Sequence, residues 1–381
     1  VIYLDNAATT PIAEAVRKAM EPFLASIYGN PSSTHEAGRQ ARQAVERARR
    51  TIAEWLDCDP RDLIFTSGGT EADNAALVGA YLARQQDRKH IVASAVEHHA
   101  VLHALSFLES LGAKVTLVPV DRRGFVDPAD VVHALQPDTA LVTVMAVNNE
   151  LGTVEPVDEI ARLVKRRDAQ IIVHSDMVQA LPVQRIGLAR SDLDMATFSA
   201  HKIHGPKGIG LLYVRKHTPW QPILYGGNQE LKRRGGTENV AGAIGFAAAV
   251  DALRDRFADH VAHLAALRDA FWASLADEPG VHRLSPPDAA PSILNVAFAG
   301  VRNDVLLMRL DLEGVMASAG SACTAGSLEP SHVIQACRLD EHVREAVRFS
   351  FSWQNTMEEV EQAARVVKDC VQLIRSRFTI S

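Results

Sequence analysis

Seven short apolar runs recur along the first part of the chain: LIFTSG (63–68), HIVASAV (90–96), KVTLVPV (114–120), ALVTVMAV (140–147), QIIVHS (170–175), MATFSA (195–200) and GIGLLYV (208–214). Each is rich in β-forming residues and bounded by Gly, Pro, Asp or Asn, which reads as a strand. Between the first five lie helical patterns such as EADNAALVGAYLARQQ (71–86) and DEIARLVKRR (158–167). An earlier helix, EAGRQARQAVERARRTIAEWL, aligns Ala37, Ala41, Val45, Ala48, Ile52 and Trp55 on one face. This alternation predicts an α/β fold: a doubly wound, mostly parallel seven-stranded sheet with helices on both faces. In such sheets ligands gather at the carboxyl ends of the strands, so functional residues should stand just after a strand.

The pattern changes after about residue 245. Residues 242–276 are Ala-rich and helical. Short strands SILNVAF (292–298), GVMASAG (314–320) and AVRFSFSW (346–353) follow, and TMEEVEQAARVVKDCVQLIRSRF forms a last helix. The expected division is a large domain over 13–250, and a smaller α+β domain built from 1–12 and 251–381.

Composition removes several functions. The 381 residues are 47% hydrophobic and 23% charged, with a formal net charge of −6, which disfavours broad nucleic-acid binding. The basic runs RQARQAVERARR and ELKRR read as solvated faces. No apolar run reaches the ~18 residues of a membrane span, and no signal segment is expected at the start. Cys58, Cys323, Cys337 and Cys370 show no CxxC spacing, so a reducing cytoplasm is the expected setting. The fifteen histidines form no strong zinc spacing with them, and no metal is expected.

Three motifs suggest chemistry. SGGTE (67–71) joins a strand to a helix; Gly68 and Gly69 let backbone approach a ligand, and the helix N-terminus favours an anion. Thr70 can donate to a phosphate or act as a plain N-cap. In HSDMVQ (174–179), Asp176 ends a strand, where a carboxylate can keep a pyridine ring protonated or simply begin a turn. In SAHKIHGPKG (199–208), Lys202 follows a strand and could form a Schiff base with a carbonyl cofactor, flanked by Ser199 and His201 as phosphate donors. Lys207, between Pro206 and Gly208, is its rival and reads more naturally as a turn residue. Together the three form an apparatus for pyridoxal phosphate.

Here the chain resembles the cysteine desulfurases of the class V aminotransferase-like group, pyridoxal-phosphate enzymes of fold type I, in the branch that serves iron–sulfur assembly. Ten ordered motifs carry the resemblance: YLDNAATTP, GNPSSTH, FTSGGTEADN, VEHHAV, VNNELGTVEP, HSDMVQ, SAHKIHGPKGIG, RRGGTEN, SACTAGSLEPSH and RFSFS. The resemblance implies that Lys202 holds the cofactor, Asp176 pairs with its pyridine nitrogen and Gln179 bonds its ring hydroxyl. His98 would stack on the ring and assist proton transfer, with His99 a surface or packing residue. Gly69, Thr70, Ser199 and His201 would bind the phosphate, and Thr237 would reach the phosphate of a partner subunit, implying a homodimer. Asn149 and Arg348 would grip the carboxylate of L-cysteine; each also has an ordinary reading, as a turn residue and a salt-bridge arginine. Cys323 would take the sulfur as a persulfide, leaving L-alanine, and pass it to an acceptor such as an iron–sulfur scaffold or a thiolation carrier. Its neighbours Gly320, Ser321, Ala322, Thr324, Ala325, Gly326 and Ser327 are small, which would suit a thiol that must visit two places.

The chain departs from the family's usual pattern at Met177, where Ala is common, at Ser352, where Gly is common, and at Asn228 and Leu231 in GGNQELKRRGG. The competing readings are another enzyme of the same fold, such as an aminotransferase, a hydrolase or a selenocysteine lyase, and a catalytically silent assembly scaffold. Cys323 argues against enzymes that need no thiol, and the set Lys202, Asp176, His98 and Cys323 argues against the scaffold.

Overall fold

The structure is a computed structural model that describes residues 1–320 and 330–378. A first short strand, β1 (Ile2–Tyr3), is followed by helices α1 (Glu14–Ala25) and α2 (Glu36–Leu56). Then come β2 (Leu63–Thr66), α3 (Gly69–Arg84), β3 (His90–Ser94), α4 (His99–Ser110), β4 (Lys114–Val118), α5 (Pro128–Ala134), β5 (Thr139–Thr143), α6 (Val157–Arg167), β6 (Ile172–Asp176), β7 (Met195–Ser199) and β8 (Gly210–Val214). All seven runs expected as strands enter one seven-stranded sheet, in the order β2-β8-β7-β6-β5-β3-β4.

The sheet is parallel except at β8, which is antiparallel to both β2 and β7. Two reversals leave β2 pointing the same way as β7, so the carboxyl ends of β2, β3, β5, β6 and β7 share one edge. Burial explains the composition of these strands. Strands β2, β5, β6, β7 and β8 are buried at every position, and a strand covered on both faces reads as a continuous apolar run rather than an alternation. The edge strand β4 is the exception, with exposed Lys114 and Leu117.

The helix α2 begins and ends as its sequence indicates. His35 caps it through a ring nitrogen that accepts from the Gly38 amide, and Asp57 ends it in the left-handed region. Its apolar stripe is buried at Ala41, Val45, Ala48, Ile52 and Trp55. It packs, with α1, against α7 (Val240–Arg254).

The remaining elements are α8 (Phe257–Leu275), β9 (Val281–Arg283), β10 (Ile293–Phe298), α9 (Asn303–Leu312), β11 (Val315–Met316), α10 (His332–Ala336), β12 (Ala346–Ser350) and α11 (Met357–Phe378). A three-stranded antiparallel sheet, β12-β10-β9, packs on α8 through Phe271, whose ring lies 4.7 Å from that of Phe349. The chain start joins this region. β1 pairs in parallel with β11, and Asp5 bridges to Ser350. No helix among the described residues is long and apolar enough to cross a membrane.

Candidate active site

The shared strand edge opens on a cavity of about 230 Å³. Each strand end contributes to its wall. Gly69 and Thr70 come from the start of α3, His98 from the cap of α4, and Asn149 from the turn after β5. Asp176 closes β6 and Gln179 follows it. Ser199 closes β7, and His201 and Lys202 occupy the 3-10 turn that follows. Arg348 enters from β12. Ten residues expected from separate motifs therefore face one space. Thr237 does not: it is exposed on the loop before α7. Cys323 lies outside the described residues. Gly320 and His332, on either side of that stretch, both line the cavity.

At the β2 end, α3 starts at Gly69 with Gly68 as N-cap, so Thr70 is the second helical residue and not the cap. The first amides of a helix have no carbonyl partner within it. The Ser199 hydroxyl, buried beside them, also has no partner among the described residues. A side chain at Gly69 would come within 3.0 Å of Val178, so glycine keeps this corner open. Free amides, an unengaged hydroxyl and a positive helix end suit an oxyanion.

The middle of the cavity is held by Lys202 and His98. Lys202 Nζ donates to the Ala7 carbonyl at 2.5 Å and the Ala8 carbonyl at 2.9 Å. Gln179 Nε2 donates to the same Ala7 carbonyl at 2.9 Å. The chain start thus closes over the lysine. The rival lysine, Lys207, is exposed and does not line the cavity. His98 Nδ1 accepts from the Ala100 amide at 3.1 Å, which leaves the proton of a neutral ring on Nε2. Burial, helped by the Lys202 charge, pushes its pKa down to about 4, so the ring is neutral at neutral pH. Burial and the charges of Lys202 and Lys207 push His201 down to about 3, and its Nδ1 lies 3.1 Å from the Thr9 hydroxyl.

At the β6 end, Asp176 is buried, with Oδ1 accepting from the Val178 amide at 2.9 Å. Burial pushes its pKa up, while the amide and the Lys202 charge pull it back. Arg348, 1% exposed, spans the opposite wall. Nη1 donates to the carbonyls of Asn149 (2.8 Å) and Gly320 (2.6 Å), Nη2 donates to Asp5 Oδ1 (2.8 Å), and Nε is buried without a partner among the described residues.

Four residues without a role in the sequence reading belong to this site or its shell. Asp73 and Glu150 line the cavity, as does His332, whose ring stands 4.6 Å from that of His99. Glu97 is buried behind them, its backbone carbonyl accepting from His332 Nε2 at 3.0 Å. Glu150 accepts from the Ser331 hydroxyl at 2.5 Å. All four sit inside the motifs FTSGGTEADN, VEHHAV, VNNELGTVEP and SACTAGSLEPSH that carry the resemblance, which was the available signal. His99, read as a surface or packing residue, does pack on His332 but also lines the cavity.

Comparison with known proteins agrees with this geometry. The family model for class-V aminotransferases matches residues 2–363. The chain is 42% identical to the cysteine desulfurase IscS of Dictyoglomus turgidum, over 98% of this chain and 95% of that protein. It is 44% identical to the putative cysteine desulfurase IscS 1 of Bacillus subtilis, over 97% and 98% of the two chains. A solved NifS-like protein superposes with a TM-score of 0.92 at 34% identity, covering 98% and 99%. The chain belongs to the class-V aminotransferase family, among its cysteine desulfurases. A solved structure of SspA in complex with cysteine also matches, with a TM-score of 0.83 at 34% identity over 92% and 99%.

The departures of this cysteine desulfurase at Met177 and Ser352 have local explanations. Met177 is 5% exposed, packs in the hydrophobic core and does not reach the cavity wall. Ser352 needs no glycine conformation; its φ is not positive, and its amide donates to Asn355 Oδ1 at 3.0 Å. Leu231 is different. It sits with Glu230 and Lys232 in a run of positive φ (47°, 57° and 66° in chain order) that glycine would adopt at less cost. The run is pinned by buried Glu230, which pairs with Arg49 through two hydrogen bonds of 2.7 and 2.8 Å and accepts from the Phe65 amide.

Proposed function

We propose that this cysteine desulfurase takes the sulfur of L-cysteine onto Cys323, using pyridoxal phosphate held in the described cavity. The observation that supports it is convergence: a phosphate corner, Lys202, Asp176 and Arg348 face one space although they come from four separate strands. The polar atoms left open there fit the group. Ser199 Oγ and the first amides of α3 suit its phosphate, and Asp176 suits its ring nitrogen. Gln179 would meet its ring hydroxyl, His98 would cover its face, and Lys202 would bond to it covalently. When bound, the cofactor supplies an aldehyde for amines and a ring that accepts electrons from Cα.

The protein's own groups do the rest. Arg348 and Asn149 orient the substrate carboxylate, and the planar guanidinium matches it with two parallel bonds. Lys202 Nζ removes the Cα proton and, with His98 Nε2, manages its return. The Cys323 thiolate attacks the substrate sulfur. An S–S bond forms, the C–S bond breaks, and its electron pair is protonated to leave L-alanine. A sulfur acceptor then takes the outer sulfur; the IscS name of the relatives favours an iron–sulfur scaffold over a thiolation carrier.

The reading includes a homodimer. Thr237 is exposed and outside its own cavity, which suits a residue that serves a partner's phosphate. It also includes the division into a large domain (13–250) and a small one (1–12 and 251–381), supported by the pairing of β1 with β11. A reducing cytoplasm is the proposed setting, in keeping with three free thiols at Cys58, Cys337 and Cys370.

The test is to supply L-cysteine and a reductant to the purified protein and measure sulfide and alanine. Cys323→Ala should keep the cofactor absorbance and its change on adding L-cysteine, yet release almost no sulfide. Full turnover in that variant would remove Cys323 from the reaction.

A further inference from the structure

The deep end of the cavity holds a second carboxyl group. Asp73, on α3, is 1% exposed and lines the cavity, and its Oδ1 has no hydrogen-bond partner among the described residues. A carboxyl oxygen of Asp73, one of Asp176 and a ring nitrogen of His98 all lie within 4.8 Å of one another. Two buried carboxylates this close cannot both ionise without a matching positive charge.

The neighbours supply little. On β6, His174 Nε2 stands 3.7 Å from Asp73 Oδ1 and is its one ion-pair partner among the described residues. That ring is neutral: burial pushes it down to about 3, and its nitrogens meet the hydroxyls of Thr143 (2.9 Å) and Thr197 (3.1 Å). At the head of α4, His98 is neutral as well. Glu97 beside it is buried and adds acidity, not positive charge. On β7, Thr197 offers Asp73 a hydroxyl. Lys202 is the cation here, and it acts on Asp176. Burial and the Asp176 charge both work against ionising Asp73.

We propose that Asp73 keeps its proton at neutral pH, so that the pair presents one negative charge, on Asp176, to the ring nitrogen of the cofactor. One carboxylate matches one pyridinium. A second would add a buried charge with no partner. The inference rests on the reading that Asp176 faces that nitrogen.

Infrared difference spectra of the holoenzyme, unsubstituted minus Asp73→Asn, test it, because asparagine copies the shape of a neutral aspartic acid. The expected difference is one protonated-carboxyl band with no carboxylate band. The bound-cofactor absorbance should titrate identically in both proteins between about pH 6 and pH 9. A lost carboxylate band, or a titration displaced by about one pH unit or more, overturns the proposal. If Asp73→Asn does not fold, carbon-13 NMR of aspartate-labelled, unsubstituted enzyme reads the same proton. One buried carboxyl carbon should resonate as the acid, and carboxylate signals alone overturn the proposal. Asp176→Asn separates the two readings. If it leaves the cofactor titration unchanged, the role of Asp176 is wrong, and the infrared band still decides Asp73.

Discussion

Arg348 Nη2 donates to Asp5 Oδ1 at 2.8 Å, so the guanidinium proposed to grip the substrate carboxylate already faces one. The pair joins β12 to the chain start across the cavity wall. An incoming carboxylate must share or take this fork.

Arg348→Lys should therefore weaken substrate capture while leaving the cofactor in place. A lysine keeps the charge but loses the planar fork, and loss of such a charged bond costs about 1.5–3 kcal/mol, or roughly tenfold to a hundredfold in kcat/KM. Steady-state sulfide release read beside the cofactor absorbance checks this. A kcat/KM within twofold of the original would place the carboxylate elsewhere.

Lys202→Ala should abolish the covalent cofactor bond, seen as loss of the borohydride-reducible visible band. Lys207→Ala should keep that band, because Lys207 is exposed and off the cavity wall. The reverse outcome would exchange the roles of the two lysines.

Glu155 gives a pH dependence of stability. It is 4% exposed, Oε2 accepts from the Val126 amide at 2.9 Å, and Oε1 has no partner among the described residues. Burial pushes its pKa up to about 8. The unfolded chain releases this proton near 4.5 and the folded chain near 8, so the native state binds more protons in between. Stability from this residue is thus lost as pH rises through that window. Glu155→Gln should match the parent near pH 5 and exceed it at pH 7 by roughly 2–3 kcal/mol, read from urea unfolding midpoints. A gap that does not grow with pH would show Glu155 ionised in the fold.

Leu231→Gly should stabilise the protein. The side chain is 69% exposed and φ is 57°, so little packing is lost and left-handed strain is relieved. The expected gain is on the order of 0.5–1 kcal/mol after the extra freedom of unfolded glycine is subtracted. Thermal unfolding measures it; a destabilised variant would show that the left-handed strain at Leu231 is smaller than the entropic cost of glycine.

The sheet was legible because buried strands concentrate apolar residues between turn formers, and the interior of each of the seven runs lies in it. α2 was legible to the residue because one face is buried along its length. β1 and β9 were not, since two or three residues make no pattern and their pairing depends on partners far along the chain. The direction of β8 had a readable cue. Few residues separate Ser199 from Gly210, and a parallel crossover needs a dozen or more. The motifs gave roles to Lys202, Asp176 and Arg348, and they contain Asp73 and Glu150 without giving either a role. Whether an acidic side chain on a helix or turn faces water or a cavity is decided by what packs against it, and that is not local.

The placement of β8 also sets when the site can exist. β2 has a single sheet neighbour, β8, which the ribosome delivers long after it. Until residue 214 has emerged, the strand that leads into the α3 corner has no hydrogen-bonding neighbour in the sheet. A growing chain that already contains Gly69 and Thr70 therefore lacks both the strand that pairs with β2 and Lys202, which precedes that strand.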